Sequence, residues 1–230
     1  MRRVVHLRDA VCVLGRFPAL AGATLQVDAG EIVLLQGPNG AGKSTLLRLC
    51  AGLLPLQSGE AEVLDCDLST DPRAVRRRVA LLGHGVGLYE ELTVADNVAF
   101  WTAATKTDRG EIDAAIARVG LAGRLAHVEV ARLSAGQRRR AALAVLLTRH
   151  AEVWLLDEPH AGLDAQGRDL VDHLVATAAD AGVTVLVASH DLDRATALAD
   201  RVATIDGGVV AALGDGARPR RSREELSSAG

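Results

Sequence analysis

Short apolar runs alternate along the chain with longer stretches in which apolar residues recur every three or four positions. The runs predict strands and the periodic stretches predict helices. The predicted strands are residues 23–28, 31–36, 60–64, 78–83, 153–157, 183–189 and 201–206. The predicted helices lie near residues 43–53, 93–105, 110–119, 135–149, 165–181 and 191–199. Several strand runs are apolar throughout, as in sheets covered on both faces, so the pattern predicts an α/β fold with a mainly parallel sheet.

The order of these elements predicts one domain with an insertion, at residues 1–213 of the 230-residue chain. Residues 88–150 contain predicted helices without a strand, so they are interpreted as an inserted helical subdomain. Residues 214–230 are polar and rich in Arg, which predicts a mobile tail, with a functional basic patch as the alternative.

Composition excludes several classes of protein. Aromatic residues are only 2% of the chain against 49% hydrophobic residues, so the core must be aliphatic. The net charge of −3 gives no basic footprint, and no nucleic-acid partner is expected. The three cysteines, Cys12, Cys50 and Cys66, form no CxxC pair, which favours a reducing compartment without structural zinc. No apolar run reaches the roughly 20 residues of a membrane span, so a membrane process would need another polypeptide.

A glycine-rich stretch follows the predicted strand at 31–36 and precedes a predicted helix. GPNGAGKST matches the pattern G-x-x-x-x-G-K-[ST], which cradles nucleotide phosphates with backbone N–H groups. Lys43 would reach the β- and γ-phosphates, the Ser44 hydroxyl would hold Mg²⁺, and Thr45 would lie at the α-phosphate. The alternative is a plain glycine-rich turn. The predicted contacts are Gly37, Pro38, Asn39, Gly40, Ala41, Gly42, Lys43, Ser44 and Thr45.

Polar residues follow two other buried strands. Asp157 and Glu158 end the run VWLLDE, and His190 follows VTVLVAS. Ligands of open α/β sheets bind at the carboxyl ends of the strands, where these side chains are expected to meet. Asp157 would orient Mg²⁺, Glu158 would activate water against the γ-phosphate, and His190 would contact that phosphate. The alternatives are two surface carboxylates and a structural histidine.

The stretch LSAGQ, residues 133–137, begins the predicted helix at 135–149 and allows two interpretations. Ser134 and Gln137 have the spacing of a capping box, which satisfies the free N–H groups of a helix end. The same N–H groups and the positive end of the helix dipole could instead bind a phosphate.

Together these motifs resemble the ATP-binding subunits of ABC transporters over about residues 4–212. The resemblance implies a P-loop ATPase core with an N-terminal antiparallel β portion, a helical subdomain, and ATP and Mg²⁺ as cofactors. LSAGQ looks like the family's signature motif, usually LSGGQ. Two subunits of the family close head to tail, so Ser134, Gly136 and Gln137 would contact ATP held by a second ATP-binding subunit, expected to be a copy of this chain. Asp164 in AGLD resembles the carboxylate of the family's D-loop.

Two positions depart from the family pattern. His84 stands where the family usually has the Gln of the Q-loop; it could contact the metal-bound water and, unlike Gln, titrate near pH 6–7. Leu14 stands where an aromatic residue usually stacks on adenine, and Phe17 is the nearest ring. Adenine packing is therefore either weak or made by Phe17.

LLGHGVGLYEELTVADNVAFW, LSAGQRRRAALAVLLTR and WLLDEPHAGLD are similar to the ATP-binding subunit of the haem exporter of cytochrome c biogenesis. This implies a peripheral subunit on the cytoplasmic side of the inner membrane, energising export through a separate transmembrane permease. Tyr89, Glu90 and Glu91 would then line the groove for the permease; otherwise they form a solvated loop. The alternatives are a drug, lipid or ion exporter and, more distantly, a soluble ABC-type ATPase of DNA repair or translation. A small P-loop kinase would not need LSAGQ.

Overall fold

A computed structural model of the chain describes residues 2–83, 85, 87–103 and 108–218. Its strands are β1 Arg3–Leu14, β2 Phe17–Asp28, β3 Ile32–Gln36, β4 Ser58–Val63, β5 Cys66–Asp67, β6 Val79–Leu82, β7 Val153–Asp157, β8 Thr184–Ala188, β9 Arg201–Asp206 and β10 Val209–Asp215. Its α-helices are α1 Lys43–Cys50, α2 Val94–Thr102, α3 Arg109–Arg118, α4 Ala135–Leu147, α5 Ala165–Asp180 and α6 Leu192–Leu198. No helix in these ranges is both long and apolar enough to cross a lipid bilayer.

The strands form two sheets. The larger sheet has the order β10-β9-β3-β8-β7-β6, in which β9 to β6 are parallel and β10 is an antiparallel edge strand. The smaller sheet has the order β2-β1-β4-β5 and is antiparallel. The predicted α/β fold with a mainly parallel sheet and an N-terminal antiparallel portion is confirmed.

Two hydrophobic cores lie on opposite faces of the parallel sheet. In β3, Ile32 and Leu34 belong to the core under the helices, whereas Val33 and Leu35 belong to the core shared with α1 and the antiparallel sheet. Strands β7 and β8 divide their side chains between the two cores in the same way. A strand packed on both faces must be apolar at every position, which explains the unbroken apolar runs.

The described residues between Gly87 and His150 contain α2, α3 and α4 and no strand of either sheet. The three helices pack on one another, and α4 also packs on β6. This arrangement ties α4 to the edge strand β6 of the parallel sheet.

Strands β1, β5 and β10 were not predicted, and β2 begins earlier than expected. The β1–β2 pairing contains register shifts around Leu7, Ala10 and Cys12, so its buried side chains do not alternate strictly. Strand β10 follows β9 across Gly207 and Gly208; its residues 209–213 form the apolar run VVAAL, although the strand lies at a sheet edge and is mostly exposed.

The described C-terminal residues are held to the domain beyond the predicted boundary at 213. Strand β10 continues to Asp215, and Arg218 forms ion pairs with Asp180 and Asp200. Asp200 also accepts a hydrogen bond from the backbone N–H of Ile32. The boundary at 213/214 stays a prediction; these contacts favour a later one, and residues 219–230 of the predicted tail lie outside the described residues.

Truncation tests this boundary. A chain ending at residue 213 loses part of β10 and leaves Asp200 without Arg218. We expect its free energy of unfolding to fall by about 1–3 kcal/mol, measured by urea denaturation. A chain ending at Arg218 is the matched control and should match the full-length chain; equal midpoints for both truncations would show that the segment adds no stability.

Candidate active site

The loop between β3 and α1 is built on glycines that no other residue can replace without strain. Gly37 has a φ of +143°, and a Cβ there would lie 2.0 Å from the carbonyl oxygen of Ile205. Gly42 has a φ of +113°, and a Cβ there would lie 2.6 Å from the carbonyl oxygen of Ala19. Because strand β9 and strand β2 press against the loop, its backbone must turn tightly here.

Lys43 begins α1 and lies across this loop. Its side chain is buried, and Nζ donates hydrogen bonds to the carbonyl oxygens of Gly37 and Pro38, at 2.7 and 2.9 Å. The first turn of α1 has no acidic residue and no side-chain cap. Its free N–H groups and the lysine ammonium therefore form a site suited to an anion.

A cavity of about 440 Å³ lies in front of this loop. It brings together the loop and the polar residues predicted to follow the other two strands. Its lining residues are Leu14, Ala19, Asn39, Gly40, Ala41, Gly42, Lys43, Ser44, Thr45, Asp157, Glu158 and His190. Gly37 and Pro38 are not among them; their carbonyl groups hold the lysine instead.

Glu158 is the most constrained residue of the cavity wall. It follows β7 with a φ of +52°, the left-handed region that costs a non-glycine residue about 1–2 kcal/mol. Its N–H donates to the carbonyl oxygen of Ala188, 2.8 Å away. One carboxylate oxygen accepts from the N–H of His190 at 3.2 Å, and the other lies 3.3 Å from His190 Nε2. The carboxylate is thereby fixed between β7 and the end of β8, beside the buried Asp157.

Arg139, on α4, binds the backbone of residues 157–159 and was not predicted as a site residue from the sequence. Its side chain is 3% exposed. Nε donates to the carbonyl oxygen of Pro159, Nη1 to that of Gly83, and Nη2 to those of Asp157 and Glu158. Burial lowers the pKa of the guanidinium, and the charges of Asp157 and Glu158 partly offset this.

A sequence signal for Arg139 does exist. It lies one helical turn after Ala135 and one before Leu143, on the face of α4 that is buried along Ala142 and Leu146. An Arg at a core position of a helical pattern indicates a buried cation that needs several acceptors.

The N-terminus of α4 carries the predicted capping box. Ser134 Oγ accepts from the N–H of Gln137 at 3.2 Å, and Gln137 Oε1 accepts from the N–H of Ser134 at 3.0 Å. Among the described residues, Ser134, Gly136 and Gln137 do not line the cavity. The helix end therefore lies apart from the chain's own phosphate loop.

Asp164 connects this helix end to α5. It caps α5 by accepting from the N–H of Gly167 at 2.7 Å, and it also accepts from Arg140 Nη2 at 3.2 Å. The hydrogen bond from Gly167 lowers the pKa of Asp164, with a further contribution from Arg140. Asp164 does not line the cavity either.

The comparisons with known proteins agree with this geometry. The family profile described as ABC transporter matches residues 20–161. The chain belongs to the ABC transporter family. It is an ATP-binding subunit of that family and an ATPase.

Curated relatives share about two fifths of their residues with the chain. The protein named cytochrome c biogenesis ATP-binding export protein CcmA of Rhodopseudomonas palustris (strain BisB18) is 39% identical over 183 residues, 80% of this chain and 90% of the relative. The protein of the same name from Cereibacter sphaeroides (strain ATCC 17023) is 42% identical over 190 residues, 82% of this chain and 84% of the relative.

Solved structures share the fold. A dimeric post-hydrolysis state of the ATP-binding cassette MJ0796, bound to ADP and Pi, has a TM-score of 0.86 at 24% identity, over 94% of this chain and 100% of the other. CbiO1 from Clostridium perfringens, part of the ABC transporter complex cbiONQ, has a TM-score of 0.79 at 26% identity, over 94% of this chain and 89% of the other.

The two departures from the family pattern differ in their outcome. Leu14 lines the cavity, whereas Phe17 is 78% exposed and is not among the lining residues. Leu14 is thus the better placed of the two to touch a base. His84 lies outside the described residues, and its role toward the nucleotide and metal-bound water stays a prediction.

Proposed function

We propose that this ABC ATPase binds ATP with Mg²⁺ in the cavity and that Glu158 is the general base for hydrolysis. One observation carries the proposal: the cavity gathers the phosphate loop, Asp157, Glu158 and His190 at one edge of the parallel sheet. Lys43 would bind the β- and γ-phosphates, Thr45 would lie at the α-phosphate, and His190 would contact the γ-phosphate.

Ser44 and Asp157 line the same cavity, and hydroxyl and carboxylate oxygens are donors that suit Mg²⁺. We therefore assign the ion to these two residues. When bound, it would neutralise charge on the phosphates. Glu158, held beside the end of β8, would accept a proton from the attacking water.

We propose that a second copy of the chain completes the site. The N-terminus of α4 offers N–H groups and a positive dipole end but does not line the chain's own cavity. In a head-to-tail dimer, Ser134, Gly136 and Gln137 would bind the γ-phosphate held by the partner, with Asp164 nearby. ATP would favour the closed dimer because only that state has both sets of contacts, and loss of the γ-phosphate would reopen it.

We assign the surface around Tyr89 to a transmembrane permease. Three of the chain's five aromatic residues, Tyr89, Phe100 and Trp101, pack on one another there, with ring centroids 4.8–6.1 Å apart. Tyr89 and Phe100 are exposed. An exposed aromatic cluster in a chain otherwise poor in aromatic residues is typical of a protein interface. The subunit would then lie peripherally on the cytoplasmic side of the inner membrane.

We further propose that the exporter serves cytochrome c biogenesis and that its cargo is haem. The support is the name of the relatives, cytochrome c biogenesis ATP-binding export protein, over four fifths of the chain. A drug, lipid or ion exporter is the alternative, because the cargo is selected by the membrane subunit.

Deletion of the gene for this chain tests the cargo. We expect covalently bound haem in c-type cytochromes, measured by haem staining, to fall to background. The wild-type gene should restore the bound haem. A gene for the Glu158→Gln variant, whose folded chain has strongly reduced turnover, should not restore it. Normal c-type cytochromes in the deletion strain would contradict haem export and favour another cargo.

A further inference from the structure

Arg139 links two parts of the molecule that the proposed function assigns to different ATP molecules. The helix that carries it, α4, begins at the signature residues, which would contact the ATP of the partner chain. The carbonyl groups that it binds belong to Asp157, Glu158 and Pro159, beside the ATP of its own chain, and to Gly83 at the end of β6.

The link is rigid at both ends. At one end, the capping box of Ser134 and Gln137 fixes the first turn of α4, and Arg139 lies on the next turn. At the other end, the guanidinium contacts four carbonyl oxygens, and its planar fork fixes their relative positions. One of them belongs to Glu158, whose left-handed backbone must be held in place by its surroundings.

Displacement of the N-terminus of α4 must therefore move the backbone of Glu158 or break buried hydrogen bonds. Breaking the bonds to Asp157 and Pro159 is costly because these hydrogen bonds are buried, and the bonds to Gly83 and Glu158 are partly buried. The neighbouring arginines do not make this link. Arg138 donates to the carbonyl oxygens of Val130 and Ala131, and Arg140 pairs with Asp164.

We propose that Arg139 is a positioning residue that couples the two ATP sites of the dimer. ATP held by the partner chain acts on the N-terminus of α4, and Arg139 transmits its effect to Glu158, which acts on the ATP of its own chain. This inference rests on the proposed dimer. It adds a named physical connection between the two sites, through which cooperativity can be transmitted.

Arg139→Lys tests the coupling. Lysine keeps the buried charge and reaches fewer of the carbonyl oxygens, so it should fold while loosening the link. Arg139→Met would remove the side-chain donor from all four, and the carbonyl of Glu158 would keep the N–H of Ala161. We expect the Hill coefficient of ATP hydrolysis to fall from about 2 towards about 1. We expect kcat to fall about 10–100-fold, with ATP affinity of the isolated chain changed less than about twofold.

Arg138→Lys is the matched control, because it makes the same change one residue away. The carbonyl acceptors of Arg138 belong to Val130 and Ala131, not to residues 157–159. It should keep the wild-type Hill coefficient. An Arg139→Lys chain that does not fold, or that folds and keeps the wild-type Hill coefficient, would overturn the proposal and leave Arg139 a stabilising residue. A wild-type chain without cooperativity and without ATP-dependent dimers would instead remove the proposed dimer, and the coupling with it.

Discussion

Glu158→Gln should reduce ATP turnover by about 10²–10⁴-fold and cause an ATP-bound dimer to accumulate. Glutamine keeps the size of the side chain and an oxygen that accepts from the N–H of His190, so the cavity should keep its shape. It cannot accept the proton of the attacking water, so ATP remains and the dimer stays closed. Turnover is measured by phosphate release, and the dimer by gel filtration with ATP and Mg²⁺.

Glu152→Gln is the matched control for this variant. Glu152 immediately precedes β7, at the end opposite Glu158, and pairs with Arg78 away from the cavity. Its turnover should match that of the wild type. A Glu158→Gln chain that remains monomeric with ATP and Mg²⁺ would contradict the proposed role of ATP in closing the dimer.

Ser134→Asp should abolish most turnover without weakening α4. Aspartate caps a helix about as well as serine, so the free energy of unfolding should change little. It also puts a negative charge where the partner's γ-phosphate would bind. Two such charges about 4 Å apart repel by about 4 kcal/mol at a dielectric constant of about 20, which is about a thousandfold in rate.

Ser134→Asn distinguishes the effect of the added charge from the effect of changing the helix cap, because asparagine also caps helices and is neutral. We expect it to keep much more activity than Ser134→Asp, while ATP affinity of the isolated chain stays unchanged in both. These values are measured by steady-state kinetics and by equilibrium binding with nucleotide. Wild-type turnover in Ser134→Asp would mean that Ser134 is only a helix cap.

The phosphate loop was predictable from the sequence because its requirements are local. Close backbone contacts leave no room for a Cβ at Gly37 and Gly42, and the anion site needs the charge of Lys43. The residue types and their spacing are therefore enough to predict this loop. Asp157 and Glu158 were predictable because an apolar strand ends at them, and parallel strands bring their carboxyl ends to one edge.

What was missed has two causes. Strand β10 follows β9 after two glycines and begins with an apolar run, so the hairpin of β9 and β10 is a local sequence signal that was overlooked. The role of Arg139 depends on carbonyl groups from β6 and from the segment after β7. The helical pattern places Arg139 on the buried face of α4, but Arg is rarely buried, and the pattern does not show which distant carbonyl groups it contacts.

Dilution of the chain tests most directly whether each reaction centre needs a second copy. With ATP and Mg²⁺ saturating, turnover per chain is measured over decreasing chain concentrations, while sedimentation reports the fraction of dimer. We predict that turnover per chain falls in proportion to that fraction, because a lone copy lacks the N–H groups of a partner's α4. Constant turnover per chain, down to concentrations at which only monomer sediments, would contradict the account.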